Sequence, residues 1–68
     1  MLDKNKFKYF AAEKGIPLNV LATEMGMNPA TLSKKLSGFT EFTRKEIQDY
    51  QSLTGVSDTE MLSIFFNQ

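Results

Sequence analysis

Residues 18–38 read LNVLATEMGMNPATLSKKLSG, and the spacing inside this stretch decides the fold. Ala22 follows Leu21, Gly26 stands four residues after the alanine, Met27 follows, and Leu32 comes six residues after the glycine. Two short helices crossing at about 90–120° need a small residue where their axes approach, a residue tolerant of left-handed backbone in the turn, and apolar residues on both inner faces. Ala22, Gly26 and the set Leu21, Met25, Met27 and Leu32 supply these in order. Pro17 starts the first helix, which carries Leu21, Ala22 and Met25 inward. Asn28 caps the second, Pro29 takes the first helical position where its missing N–H costs nothing, and Gly38 stops it, so it should span about 29–37.

Working outward, the same punctuation recurs. Four times an apolar residue precedes a polar cap and is answered by another apolar residue five positions later, the spacing of the hydrophobic staple: Leu2 with Phe7, Met27 with Leu32, Phe42 with Ile47, Val56 with Met61. The first opens a helix at Asp3 that runs through Phe7, Phe10 and Ala11 until Gly15. Thr43 with Glu46 forms a capping box for a helix that ends at Gly55. Ser57 with Glu60 repeats the box for a last helix, expected over 58–66. No stretch alternates with period two, so strands are not expected. The sequence therefore predicts an all-α chain: five short helices in one compact domain covering residues 1–68, with no linker, repeat or low-complexity segment.

Composition narrows the function. A chain of 68 residues buries only about 60% of its unfolded surface, too little to enclose a large substrate cavity. With no cysteine and no histidine, thiolate nucleophiles, imidazole bases, disulfides and nearly every zinc or haem site are excluded, so neither an enzyme nor a cofactor is expected. Asp49, Glu46 and Glu60 are better explained by capping and solvation than as an acid pair. No apolar run exceeds four residues, so the sequence reads as cytoplasmic, with no membrane partner and no small-molecule substrate.

The central stretch resembles the helix-turn-helix of the phage Cro and repressor family. Downstream, Lys35, Leu36 and Gly38, then Phe42, Thr43, Glu46 and Ile47, then Leu53 to Ser57, then Phe65 and Phe66, are similar in order and spacing to small Cro-like regulators of phages infecting Gram-positive bacteria. The resemblance covers nearly the whole chain. It implies a five-helix domain of the lambda-repressor-like type, a host-cytosol location, and a transcriptional regulator in a genetic switch whose partner is operator DNA.

By that resemblance the helix from Pro29 enters the major groove, braced by the one before it. Asn28, Pro29, Ala30, Thr31, Ser33 and Lys34 then face bases, with Lys34 the main reader because an ammonium donates to guanine O6 and N7. Lys35, Arg44 and Lys45, and the free N–H groups near Thr43, would contact phosphates. The charge distribution agrees: residues 1–35 carry six Lys against three acids, residues 36–68 two basic residues against five acids, so a neutral chain is polar end to end.

Two departures open a second reading. Leu18 stands where family members usually carry Gln or another polar residue, and Pro29 and Ala30 open the reading helix without hydrogen-bonding groups. The alternative is a protein-directed module, an antirepressor that covers the DNA-binding domain of a cognate phage repressor. The last helix carries more apolar residues than one core stripe needs. Met61, Leu62, Phe65 and Phe66 are accordingly the expected protein interface, in a homodimer or with another partner.

Overall fold

A computed structural model describes residues 1–67 of the chain. Five helices follow in order: α1 Lys4–Glu13, α2 Leu18–Glu24, α3 Pro29–Leu36, α4 Arg44–Thr54 and α5 Asp58–Phe65, with no strand among the described residues. The expected ends at residues 37 and 66 each fall one residue outside the helix, where Ser37 and Phe66 serve as C-caps.

Side chains close the helix starts as the sequence indicates. Asp3 accepts from the Lys6 N–H at 3.0 Å and Asn28 from the Thr31 N–H at 2.8 Å. Thr43 with Glu46 and Ser57 with Glu60 form reciprocal capping boxes. Only α2 lacks a side-chain cap, because Pro17 has no acceptor to offer. The eight staple residues are all buried or half-buried.

The turn between α2 and α3 is fixed by backbone bonds. Gly26, at φ +82°, lets its own N–H reach the Thr23 carbonyl at 3.0 Å while the Met27 N–H reaches that of Ala22 at 2.9 Å. This is a Schellman motif, and it needs a left-handed residue at its centre. Gly15 and Gly38 close α1 and α3 with the same pair of bonds. After α1 and α2 the following residues, Ile16 and Met27, turn inward over Ala11 and Ala22. After α3 the equivalent pair is Phe39 and Lys34, so Phe39 finds no apolar partner and stays 83% exposed.

One core joins all five helices: Phe7 and Ala11 from α1, Leu21 and Ala22 from α2, Leu32 from α3, Tyr50 from α4, and Ile64 and Phe65 from α5, with Met25 and Val56 from the connections. The Cα radius of gyration of the chain is 10.6 Å, against about 11 Å for a well-packed chain of this length. The rings of Phe7 and Tyr50 stack at 4.3 Å, and Phe65 meets Phe7, Phe42 and Tyr50 edge-on at 5.9, 5.3 and 5.3 Å. The Asp3 N–H donates to the Ile64 carbonyl at 2.7 Å, tying the start of the chain to α5.

Tyr50 carries one polar atom into this cluster, and its O–H donates to the Phe7 carbonyl at 2.7 Å. Burial pushes the phenol pKa far above its ordinary value, so it stays protonated and remains a donor. Tyr50→Phe keeps the ring and loses that bond, and should lower stability by about 1–2 kcal/mol. The check is urea denaturation, where the midpoint should fall with the slope unchanged.

Candidate nucleic-acid interface

α3 rests on Leu32, 2% exposed, with Leu36 half-buried one turn on. Among the helix pairs, α2 and α3 pack together most extensively. The side of α3 turned away from this contact carries Pro29, Ala30, Ser33, Lys34 and Ser37, all exposed, with Asn28 exposed at its start. Thr31 is half-buried and turns toward the crevice it shares with Thr23 and Glu46. Of the six residues expected to face bases, five therefore form one solvent-facing surface and Thr31 stands at its edge.

Lys34 is exposed and makes no ion pair among the described residues, so its ammonium is free to meet a ligand. Lys35 behaves differently. Its Nζ lies 3.1 Å from Glu46 Oε1, donates to the Glu41 carbonyl at 2.9 Å and stands 5.8 Å from the centre of the Phe42 ring. Only 10% of its side chain is exposed. The expectation that Lys35 contacts phosphate is thus corrected: its charge is spent inside the molecule, bolting the end of α3 to the loop before α4 and to the first turn of α4.

The expected phosphate contacts at α4 divide in the same way. Thr43 is occupied, its side chain accepting from the Glu46 N–H and its own N–H donating to Glu46 Oε1. The Glu46 carboxylate also places negative charge at the N-terminus that would have met an anion. Lys45 pairs with Asp49 at 2.9 Å but keeps 81% of its side chain in solvent, a weak surface pair that a phosphate can displace. Arg44 is exposed and unpaired among the described residues.

Burial would raise the Glu46 pKa, but the Thr43 N–H and the Lys35 ammonium outweigh it and hold the carboxyl below its ordinary 4.5. A depressed folded-state pKa contributes stability above the unfolded value that is lost as pH falls through the folded one. The stability gap between the parent chain and Glu46→Gln should therefore hold steady near neutrality and shrink below about pH 4, as read from denaturation midpoints across pH.

The expected protein interface also splits. Phe65 is 7% exposed within the aromatic cluster and Met61 is half-buried against the core, so neither presents a free face. Leu62 and Phe66, at 52% and 55% exposure, remain outside. Leu18 and Leu36 floor a groove beside α3, and three residues that the sequence alone did not mark, Lys4 and Lys8 of α1 and Asn19 of α2, line it with them. Their separation along the chain hides the grouping, since only the folding of α1 against α2 brings them together. No helix among the described residues is long and apolar enough to cross a membrane. Comparison with protein-family models, with curated proteins and with solved structures finds no match to this chain.

Proposed function

We propose that this chain is a Cro-like, helix-turn-helix transcriptional regulator that binds operator DNA of a phage genetic switch, with α3 in the major groove. One observation carries the reading: α3 is seated on Leu32 and bolted by Lys35 to Glu46, while Asn28, Pro29, Ala30, Ser33 and Lys34 are exposed on one outward surface. A face of small side chains with a single exposed, unpaired cation fits a groove floor. Lys34 donates to guanine, Ala30 touches a thymine methyl, Ser33 offers its hydroxyl to base edges or sugars, and Asn28, whose Oδ1 caps α3, offers its amide N–H groups. Arg44 and Lys45 lie one element further on as phosphate contacts.

The test is an electrophoretic mobility shift with duplex DNA spanning the control region beside the chain's own gene, at low salt. Binding at micromolar protein or tighter that weakens steeply with added salt is expected. Absence of any shift under those conditions overturns the reading.

A second reading is favoured by the exposed Pro29 and Ala30, which offer a protein surface more than they offer a base edge. In it the same surface of α3 covers the DNA-binding domain of a cognate repressor. Co-purification of the two chains in place of a DNA shift would select it.

A further inference from the structure

We propose that copies of this chain associate head to tail, the outer face of α5 from one copy seating in the groove between α1, α2 and α3 of the next. The groove has a volume of about 260 Å³, with Leu18, Leu32 and Leu36 on its floor. Lys4 and Lys8 stand at its mouth, both exposed and neither in an ion pair among the described residues, and no carboxylate lines it. An apolar hollow with a cationic rim selects an apolar side chain delivered beside a negative charge.

α5 carries that combination on its solvent side. Asp58, Leu62 and Phe66 recur at intervals of four residues and therefore share one face, and all three are exposed. Their inward counterparts, Met61, Ile64 and Phe65, serve the core. The outer face thus presents an acid followed by two large apolar side chains, with Glu60 adding to the negative first turn. The groove lies in the basic half of the chain and the stripe in the acidic half, and the zero net charge leaves no overall repulsion against association.

Groove and stripe share no residue, so the contact is heterologous. An open chain of copies always ends in one unused groove and one unused stripe, so the assembly grows past the dimer or closes as a ring. The proposal does not depend on DNA binding, and its test uses none, so the two fail separately.

Sedimentation velocity of the full chain should show a mass that rises with concentration beyond two copies at low salt and falls back at high salt. Two variants dissect the contact: Lys4→Glu with Lys8→Glu spoils the groove, and Leu62→Ser with Phe66→Ser spoils the stripe. All four positions are exposed, and circular dichroism would verify that each variant folds. Each alone should associate about tenfold more weakly or less tightly still. Mixed together they retain one intact contact, and should form a one-to-one complex and nothing larger. A chain that stays monomeric at low salt, an association that stops at the dimer, one that survives either variant, or a mixture that does not pair would each overturn the proposal.

Discussion

Phe7→Ala should remove roughly half or more of the chain's folding free energy. Phe7 is fully buried, stacks on Tyr50 and Phe42, meets Phe65 edge-on, and supplies the carbonyl that receives the Tyr50 O–H. Truncating a core phenylalanine removes its transfer free energy and opens a cavity, together costing about 3–5 kcal/mol. At about 0.05–0.15 kcal/mol per residue, a 68-residue chain holds only about 3–10 kcal/mol in total. No disulfide is present to restrain the loss. Circular dichroism with a urea titration would measure it, and a folded variant with a midpoint near the parent's would mean that the aromatic cluster does not hold the fold together. Phe39→Ala makes the control, since that ring is 83% exposed and its removal should leave stability nearly unchanged.

The helix boundaries were legible because they are written in local chemistry. A cap acts on an N–H two or three residues away, and a Schellman glycine acts within one turn, so Asn28, Thr43, Ser57 and Gly26 announce their roles without any knowledge of the fold. Tyr50 shows what was overlooked. Ile47, Tyr50 and Thr54 stand at the three- and four-residue spacing of an inward face, a signal in the sequence that the caps of α4 do not carry. The same spacing rule sorts α5, where Met61, Ile64 and Phe65 form one stripe and Leu62 and Phe66 the opposite one. Counting apolar residues, instead of projecting them on the helix, placed Phe65 at an interface when it belongs to the core.

The candidate site was legible where a residue acts alone and illegible where it acts through a partner. Lys34 and Lys35 are adjacent and chemically identical, so nothing local distinguishes them. The difference comes from the direction of each side chain around α3: a rotation of about 100° per residue sends one ammonium to solvent and the other to Glu46. Glu46 had been accounted for by its capping box, and its second role appears only when α3 and the start of α4 are brought together.

These two lysines give the sharpest separation of function from stability. On the DNA reading, Lys34→Ala should weaken binding by about 1–3 kcal/mol, with the loss concentrated at a single base pair, because a base-edge donor is removed and nothing in the fold depends on it. Its denaturation midpoint should match the parent's, since the side chain is exposed and unpaired. Lys35→Met should do the reverse. It strips the partner from a largely enclosed Glu46 and should lower stability by about 1–3 kcal/mol, the cost of leaving a buried polar group unsatisfied. Below its unfolding transition this variant should still bind with the parent's base preference and an unchanged slope of log affinity against log salt, because Lys35 neutralises no phosphate. Binding titrations over a set of single-base-pair substitutions, run beside urea denaturation, would measure all four quantities. Loss of affinity spread evenly over every sequence in Lys34→Ala, or a shallower salt slope in Lys35→Met, would show that the two ammonium groups do not divide the work as their surroundings require.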